Sequence, residues 1–306
     1  MKKDFLAISD FSGEEIMNLI KSAVKMKKEY FDGGNKPILQ NKVLAMVFNK
    51  PSLRTRISFD MAMRHLGGDA LFISPAEIGL GKRESIADVA RVLSGYVSAI
   101  MARVFEHSHV VELAHWAEIP VINGLSDYNH PCQALADALT IYEHFGTFDN
   151  LKVSFIGDGN NVALSLMIIC LKLGMNFSLA SPNGYGIDEK ALKIGLKFAS
   201  ENGLSLEDHE DPVKGIEDAD VVYTDTWTSM GQEEEAERRM KVFPPYQVNE
   251  SLLSHAKDTA VVFHCLPAHR GYEITDQVAD GPQSLLFPQA HNRLHAQKAI
   301  LVDLLT

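Results

Sequence analysis

Val43-Leu44-Ala45-Met46-Val47-Phe48-Asn49-Lys50-Pro51-Ser52-Leu53-Arg54-Thr55-Arg56 passes from an apolar run into a polar turn and on into a helix-like stretch. Val43–Phe48 reads as a strand, and Thr55–Leu66, ended by Gly67-Gly68, reads as the helix that follows it. The alternation continues outward, with β-rich runs at Ala70–Ser74, Ser98–Val104 and Pro120–Asn123 and a helix at Ser85–Leu93. Such alternation predicts a parallel α/β domain. Upstream, Ser12-Gly13-Glu14-Glu15 is a capping box. Ile16, Leu19, Ile20, Ala23 and Val24 then recur at helical spacing, so a first amphipathic helix is expected to run to about Lys28.

Asn129–Phe145 reads as a long helix entered through His130-Pro131 and closed by Gly146. A second alternating series follows, with strands near Lys152–Gly157, Phe177–Ser181, Val221–Asp225 and Ala260–Cys265 and helices at Val162–Leu173 and Asp188–Glu201. After Pro288 the pattern through Leu294, Ile300, Leu301 and Leu304 is helical again. The fold expected is α/β: two parallel-sheet domains linked by helices, with the C-terminal helix packing back on the N-terminal domain. The boundaries expected are 1–146 completed by 288–306, and 147–287. A chain of 306 residues suits two cores better than one.

Lys and Arg total 29 against 40 Asp and Glu, so the net charge of −11 argues against nucleic acid or an anionic membrane as partner. Any anionic ligand must therefore meet a local basic pocket. Cys132, Cys170 and Cys265 show no CxxC spacing, which fits a reducing compartment. The first ten residues lack signal or transit character, and Val162–Leu171 falls short of a membrane span. A cytoplasmic protein is expected.

In open parallel sheets ligands bind beyond the carboxyl ends of strands, and the polar motifs of this chain fall there. Ser52-Leu53-Arg54-Thr55-Arg56 combines a helix start, two hydroxyls and two guanidinium groups, which suits a phosphate. Taken alone it reads equally as a capped helix with solvated arginines. Arg103 ends a strand, and His130 and Gln133 lie one helical turn apart, so the three suit a polarised carbonyl. A histidine at a helix start is also commonly a cap or a surface residue. Gly157-Asp158-Gly159-Asn160-Asn161 follows a strand and invites a dinucleotide reading. A third glycine is missing at Val162, however, and Ser181-Pro182 stands where the next strand would carry an acid. Asp225 precedes a polar loop through Gln232 and suits a cationic amine or a helix cap. Cys265, in His264-Cys265-Leu266-Pro267, is a reactive thiol or an inert buried one, and Leu266-Pro267 is compatible with either peptide isomer.

Ser52–Arg56, His130–Gln133, Gly157–Asn161, Asp225–Gln232 and His264–Ala268 resemble, in order and spacing, the motifs of the aspartate and ornithine carbamoyltransferase family. The resemblance covers the chain from the first helix to Asn292-Arg293-Leu294. It implies transfer of a carbamoyl group from carbamoyl phosphate to an amine through a tetrahedral intermediate, with no metal or organic cofactor. By resemblance, Ser52, Leu53, Arg54 and Thr55 hold the phosphate, and Arg103 and Arg293 contact the same ligand. Arg103, Thr55 and His130 polarise the carbonyl, while Gln133 and the Leu266 carbonyl orient the NH₂. An aspartate enzyme needs basic groups for a second carboxylate in place of Asp225, so ornithine is favoured over aspartate; putrescine and N-acetylornithine enzymes are nearer relatives, but Ser229-Met230-Gly231 resembles the loop that receives ornithine's α-amino acid end. Asn161 would meet its α-carboxylate, Asp225, Ser229 and Met230 its α-ammonium end, and Cys265 would lie near its δ-amine. The catalytic set implied is Arg54, Arg103, His130 and Cys265. The family also implies a homotrimer in which a neighbour's loop, including Lys82-Arg83-Glu84, closes on the phosphate. Leu53 and His291 stand where other residue types are frequent in the family, and neither is a proposed catalytic side chain. A nicotinamide-dependent oxidoreductase and a non-catalytic homologue are the competing readings.

Overall fold

A computed structural model describes residues 3–81, 83–229 and 231–306. Lys82 and Met230, both singled out in the sequence, lie outside the described residues. The chain divides into two units, Met1–Leu139 with His291–Thr306, and Thr140–Ala290.

In the first unit the Ser12 hydroxyl accepts from the Glu15 N–H at 3.2 Å and the Glu15 carboxylate accepts from the Ser12 N–H at 2.8 Å, which starts α1 (Gly13–Phe31). This helix runs one turn past Lys28, burying Met26 on the same face as Ile16, Leu19 and Ala23. β1 (Val43–Phe48) and α2 (Leu53–His65) follow, and α2 begins two residues before Thr55 because Ser52 is its cap, accepting from the Thr55 N–H at 3.2 Å. Next come β2 (Asp69–Ile73), α3 (Pro75–Ile78), α4 (Ile86–Ser94), β3 (Ala99–Arg103), α5 (His107–Trp116), β4 (Val121–Leu125) and α6 (Pro131–Phe145). The sheet is parallel throughout, in the order β2-β1-β3-β4. β1, β3 and β4 are buried along nearly their whole length, so burial does not alternate along them: β1 is a continuous apolar run, while β3 and β4 also bury Arg103 and Asn123. Val47, Ile100, Ala102, Val110, Leu113 and Val121 share one core beside this sheet.

The second unit carries β5 (Lys152–Ile156), α7 (Asn161–Leu173), β6 (Asn176–Ala180), α8 (Glu189–Asn202), β7 (Leu206–His209), α9 (Pro212–Ile216) and β8 (Val221–Thr224). It continues through α10 (Ala236–Val242), α11 (Glu250–Leu253), β9 (Val261–His264) and α12 (Asp276–Ala279), and α13 (Leu286–Leu305) leads out of it. Its parallel sheet runs β7-β6-β5-β8-β9. β7 is the strand that the periodicity does not reveal: Leu-Glu-Asp-His is polar, and it pairs only with β6 at the sheet edge. Ile156, Ala180, Val222, Val262 and Leu286 pack in one core.

Both sheets reverse direction once. From β1 the chain steps to β2 on one side and then returns to β3 on the other, and from β5 it steps to β6 and later returns to β8. Helices leave such a pair of strands on opposite faces, which opens a crevice at their carboxyl ends. Asn49–Arg56 and Arg103 stand at the first reversal, and Gly157–Asn161 and Asp225 at the second.

The His291–Leu305 part of α13 packs in the first unit, as expected from the sequence. Lys27 Nζ donates to Asn292 Oδ1 at 2.8 Å, and Lys298 Nζ donates to Asn35 Oδ1 at 2.6 Å while lying 4.4 Å from the Tyr30 ring centre. Among the described residues no helix is long and apolar enough to cross a membrane.

His295 in this helix is 3% exposed. Burial first, then the charges of Lys298, Lys27, His65 and His291, bring its pKa down to about 3. The unfolded chain takes this proton near pH 6.5 and the folded chain does not. Stability is therefore full above about pH 6.5 and declines as the pH falls towards about 3. The thermal midpoint is expected to drop between about pH 7 and pH 5, and His295→Gln to flatten that slope. Melting curves of both proteins across the window check it, and equal slopes would count against it.

Candidate functional site

In the first unit the sequence-predicted residues converge at the carboxyl ends of β1 and β3. Ser52 Oγ lies 3.2 Å from Thr55 Oγ1, and Arg293 Nη2 donates to Thr55 Oγ1 at 3.4 Å. Arg293 Nη1 donates to Gln133 Oε1 at 2.7 Å, and Gln133 Nε2 donates to Asp137 Oδ1 at 2.8 Å. A chain of polar contacts thus runs from the α2 cap through α13 into α6, with Thr55, Gln133, Asp137 and Arg293 all buried. Lys50, also buried, lies 5.2 Å from the Phe105 ring centre. Arg56, the second arginine of the motif, instead lies 4.0 Å over the Phe72 ring, away from this chain. Leu53 is 74% exposed, so only its backbone suits a ligand role.

His130 is buried where α6 begins, and its pKa is held well below the usual imidazole range. Burial is the main cause, and the charges of Arg293, Arg103, Lys50 and Arg54 add to it. Four cations around a neutral imidazole make a local anion site in an acidic protein. Cys132, next along α6, donates to the Asn123 carbonyl at 3.3 Å, and burial pushes its thiol up to about 12.

In the second unit Asp225 is buried at the end of β8. Asn160 Nδ2 donates to its Oδ2 at 2.9 Å, and the Cys265 thiol donates to its Oδ1 at 3.1 Å. Asn160 caps α7 by accepting from the Val162 and Ala163 N–H groups, so the side chain that starts the helix also orients the carboxylate. Asn161, the residue predicted from sequence, is the first of α7 and is half-buried. Gly157 adopts φ +135°, and a Cβ on Gly159 would meet the Gly186 and Ile187 backbone at 2.3 Å, so the turn tolerates only glycine there. Ser229 donates through its backbone N–H to Gln232 Oε1 at 3.2 Å.

Arg239 stitches the loops of this site together. It pairs with Asp158 and Glu235 at 3.0 Å each and donates to the Trp227 carbonyl at 2.8 Å. Burial raises the Asp158 pKa to about 6 against the opposing effect of Arg239, with Asp225 and Glu235 adding to the rise. Ligand-type atoms of Asp225, His264 and Cys265 lie within 4.8 Å of one another. His264 Nδ1 already accepts from the Leu266 N–H at 2.9 Å and Nε2 meets Glu273 at 3.1 Å, so its lone pair is engaged. A metal there would have to break that backbone bond. The Leu266-Pro267 peptide is cis.

Each unit thus holds, around its own cluster, residues that the sequence did not single out. Lys50, Asp137 and Arg239 had no local pattern to mark them. Asn160 did carry a signal, because Asn before an apolar helix is a cap.

Two family models match the chain. The carbamoyl-P binding domain of aspartate/ornithine carbamoyltransferase matches residues 3–143, and the Asp/Orn binding domain of the same family matches residues 149–304. The ornithine carbamoyltransferase of Anoxybacillus flavithermus is 55% identical over 303 residues, 99% of this chain and 96% of that one. A relative from Pyrococcus furiosus, named ornithine carbamoyltransferase, anabolic, is 54% identical over 98% of this chain and 95% of its own. The solved ornithine carbamoyltransferase structure from Pyrococcus furiosus superposes with a TM-score of 0.96 at 53% identity, covering 99% of this chain and 97% of that one.

The three thiols differ in access: Cys132 and Cys170 are buried, and Cys265 is partly open. Brief treatment of the native protein with an alkylating reagent is expected to label Cys265 first. Peptide mass spectrometry reads this directly, and early labelling of Cys132 would contradict it.

Proposed function

The chain belongs to the aspartate/ornithine carbamoyltransferase family, and from that premise we infer that it transfers the carbamoyl group of carbamoyl phosphate to the δ-amine of L-ornithine, giving L-citrulline and phosphate in arginine biosynthesis. The observation that carries the choice of acceptor is Asp225, a buried carboxylate held by Asn160 and Cys265 at the end of β8. A carboxylate there attracts an acceptor's ammonium group and repels the second carboxylate of aspartate.

Residues 1–146 with 288–306 are the carbamoyl-phosphate domain in this reading, and residues 147–287 the ornithine domain. The α2 N-terminus at Ser52, Leu53, Arg54 and Thr55 takes the phosphate oxygens, with Arg103 and Arg293 adding charge. His130, neutral at physiological pH, donates an N–H to the carbamoyl oxygen without becoming an acid, and Arg103 and Thr55 stabilise the same oxygen as it gains charge. Gln133 Oε1 keeps a lone pair beyond its bond to Arg293, which with the Leu266 carbonyl orients the carbamoyl NH₂. Asn161 receives the α-carboxylate of ornithine, Asp225 and Ser229 its α-ammonium, with Met230 beside them and Cys265 near the δ-amine.

The δ-amine attacks the carbamoyl carbon, a tetrahedral intermediate forms, and the phosphate leaves with the C–O bond electrons while the amine loses a proton. No step calls for a metal or organic cofactor. The enzyme acts in the cytoplasm as a homotrimer, with the loop around Lys82-Arg83-Glu84 of a neighbour completing the phosphate site. The exposed apolar side chains of Leu53 and Ile57, one turn apart on α2, and of Leu71 and Phe72 on the edge strand β2 support a subunit interface at this edge of the sheet.

Purified protein given carbamoyl phosphate with ornithine, putrescine, N-acetylornithine or aspartate is expected to form product with ornithine alone. Asp225→Ala is expected to cut ornithine use at least ~100-fold while sparing carbamoyl phosphate binding; equal loss of both ligands would overturn the assignment. Turnover should rise with pH as the δ-ammonium, with a reference pKa of about 10.4, gives up its proton. Sedimentation at assay concentration is expected to show a trimer, and an active monomer would refute it.

A further inference from the structure

Arg103 ends β3 and His130 ends the loop that follows β4, and the loops after these two strands are laced together by three residues that have no part in the reaction above. β3 and β4 fall out of step between Ala102, opposite Asn123, and Arg103, opposite Leu125. Gly124 is the extra residue, and it sits where a Cβ would meet Met101 Sδ at 2.4 Å. Past this bulge the Val104 N–H donates to the Leu125 carbonyl at 2.9 Å and the Asp127 N–H donates to the Phe105 carbonyl at 2.7 Å. The Asp127 carboxylate returns the contact by accepting from the His107 N–H at 2.8 Å, which caps α5 from the neighbouring loop.

Ser126 is fully buried at the centre of this lacing. Its Oγ lies 2.8 Å from His107 Nδ1 and accepts from the Asn129 N–H at 3.1 Å, and its backbone N–H donates to the Asn129 carbonyl at 2.9 Å. Asn123 Nδ2 reaches the same hydroxyl at 3.4 Å. Burial lowers the His107 pKa against the pull of Asp127 and Asp10, so at neutral pH its ring has a lone pair for the Ser126 proton. The residue after Asn129 is His130, whose titration already feels Arg103.

We propose that Ser126, Asp127 and His107 are positioning residues for His130: they lock the β4–α6 loop to the β3–α5 loop so that His130 and Arg103 hold the fixed spacing that polarising one carbonyl requires. Misplacing a polarising group harms the transition state more than ground-state binding, because its hydrogen bond strengthens only as charge develops. The role rests on the carbamoyl-transfer reading above. Asp127 is exposed, in an open groove lined by Glu106, His107, Ser108 and Tyr128, so substitution there disturbs no core.

The test compares Ser126→Ala, Asp127→Ala and Asp127→Asn with the native enzyme, reading kcat, calorimetric Kd for carbamoyl phosphate, KM for ornithine and the His130 ring ¹⁵N signals. Ser126→Ala and Asp127→Ala are expected to lower kcat at least ~tenfold and to shift the His130 signals, with both ligand affinities within ~threefold of native. Asp127→Asn, which keeps an oxygen to cap α5, is expected to stay within ~threefold of native kcat. Native kcat in both alanine variants overturns the proposal, as does a fall in carbamoyl phosphate affinity that matches the fall in kcat. Unmoved His130 signals in both alanine variants overturn it whatever the turnover. A native protein that makes no citrulline instead removes the functional reading, and the His130 signals still decide the clamp.

Discussion

In a parallel sheet every strand ends at the same edge, and all the backbone there must be turned away by loops of similar reach. The reversal of winding between β1 and β3, and again between β5 and β8, prevents those loops from covering the edge completely. Each placement described above depends on this. The α2 cap, the β3 terminus and the α6 entry meet at one reversal, while the α7 cap and the carboxylate after β8 meet at the other. Apolar β1 and β3 supply the rigidity, and the polar residues one or two positions beyond them inherit it.

The electrostatics follow from where those polar residues are held. A chain with 40 acidic and 29 basic residues repels anions at long range. Burial keeps His130 from taking a proton, and Arg293, Arg103, Lys50 and Arg54 nonetheless lie close enough to add to that effect. Most of the acidic residues lie on the surface, where solvent screens them, and the cations gathered here dominate the local field. In the second unit the balance is opposite: the charges of Asp225 and Glu235 bear on Asp158, and Arg239 offsets them. One unit is thereby suited to a phosphate and the other to an ammonium group.

What could be read from sequence and what could not divide by range. Ser52, Asn160 and the strands β1, β3 and β8 act through neighbours within a few residues, and local pattern carries that information. Leu-Glu-Asp-His of β7 has no local signal, since an edge strand needs only backbone pairing to β6. The contact of Arg293 with Thr55 spans 238 residues, and no periodicity encodes it; only resemblance to a family brought Arg293 to notice. Asn161 came to notice only through the family resemblance, whereas the bond of its neighbour Asn160 to Asp225 spans 65 residues and has no local signal. The Arg239 bonds to Asp158 and Trp227 were invisible for the same reason of distance.

Unit 1 is written in two segments, with the 151 residues of Thr140–Ala290 intervening before His291–Thr306 returns to it. The ribosome delivers the sheet of this unit before the second unit and Arg293 after it, so a nascent chain carries β1, α2 and His130 long before it has the arginine that bridges Thr55 and Gln133. Assembly of the anion site therefore waits until the second unit has been synthesised. A chain truncated anywhere in the second unit has the first sheet but lacks Arg293, so synthesis of the intervening unit times the first appearance of the complete cation cluster.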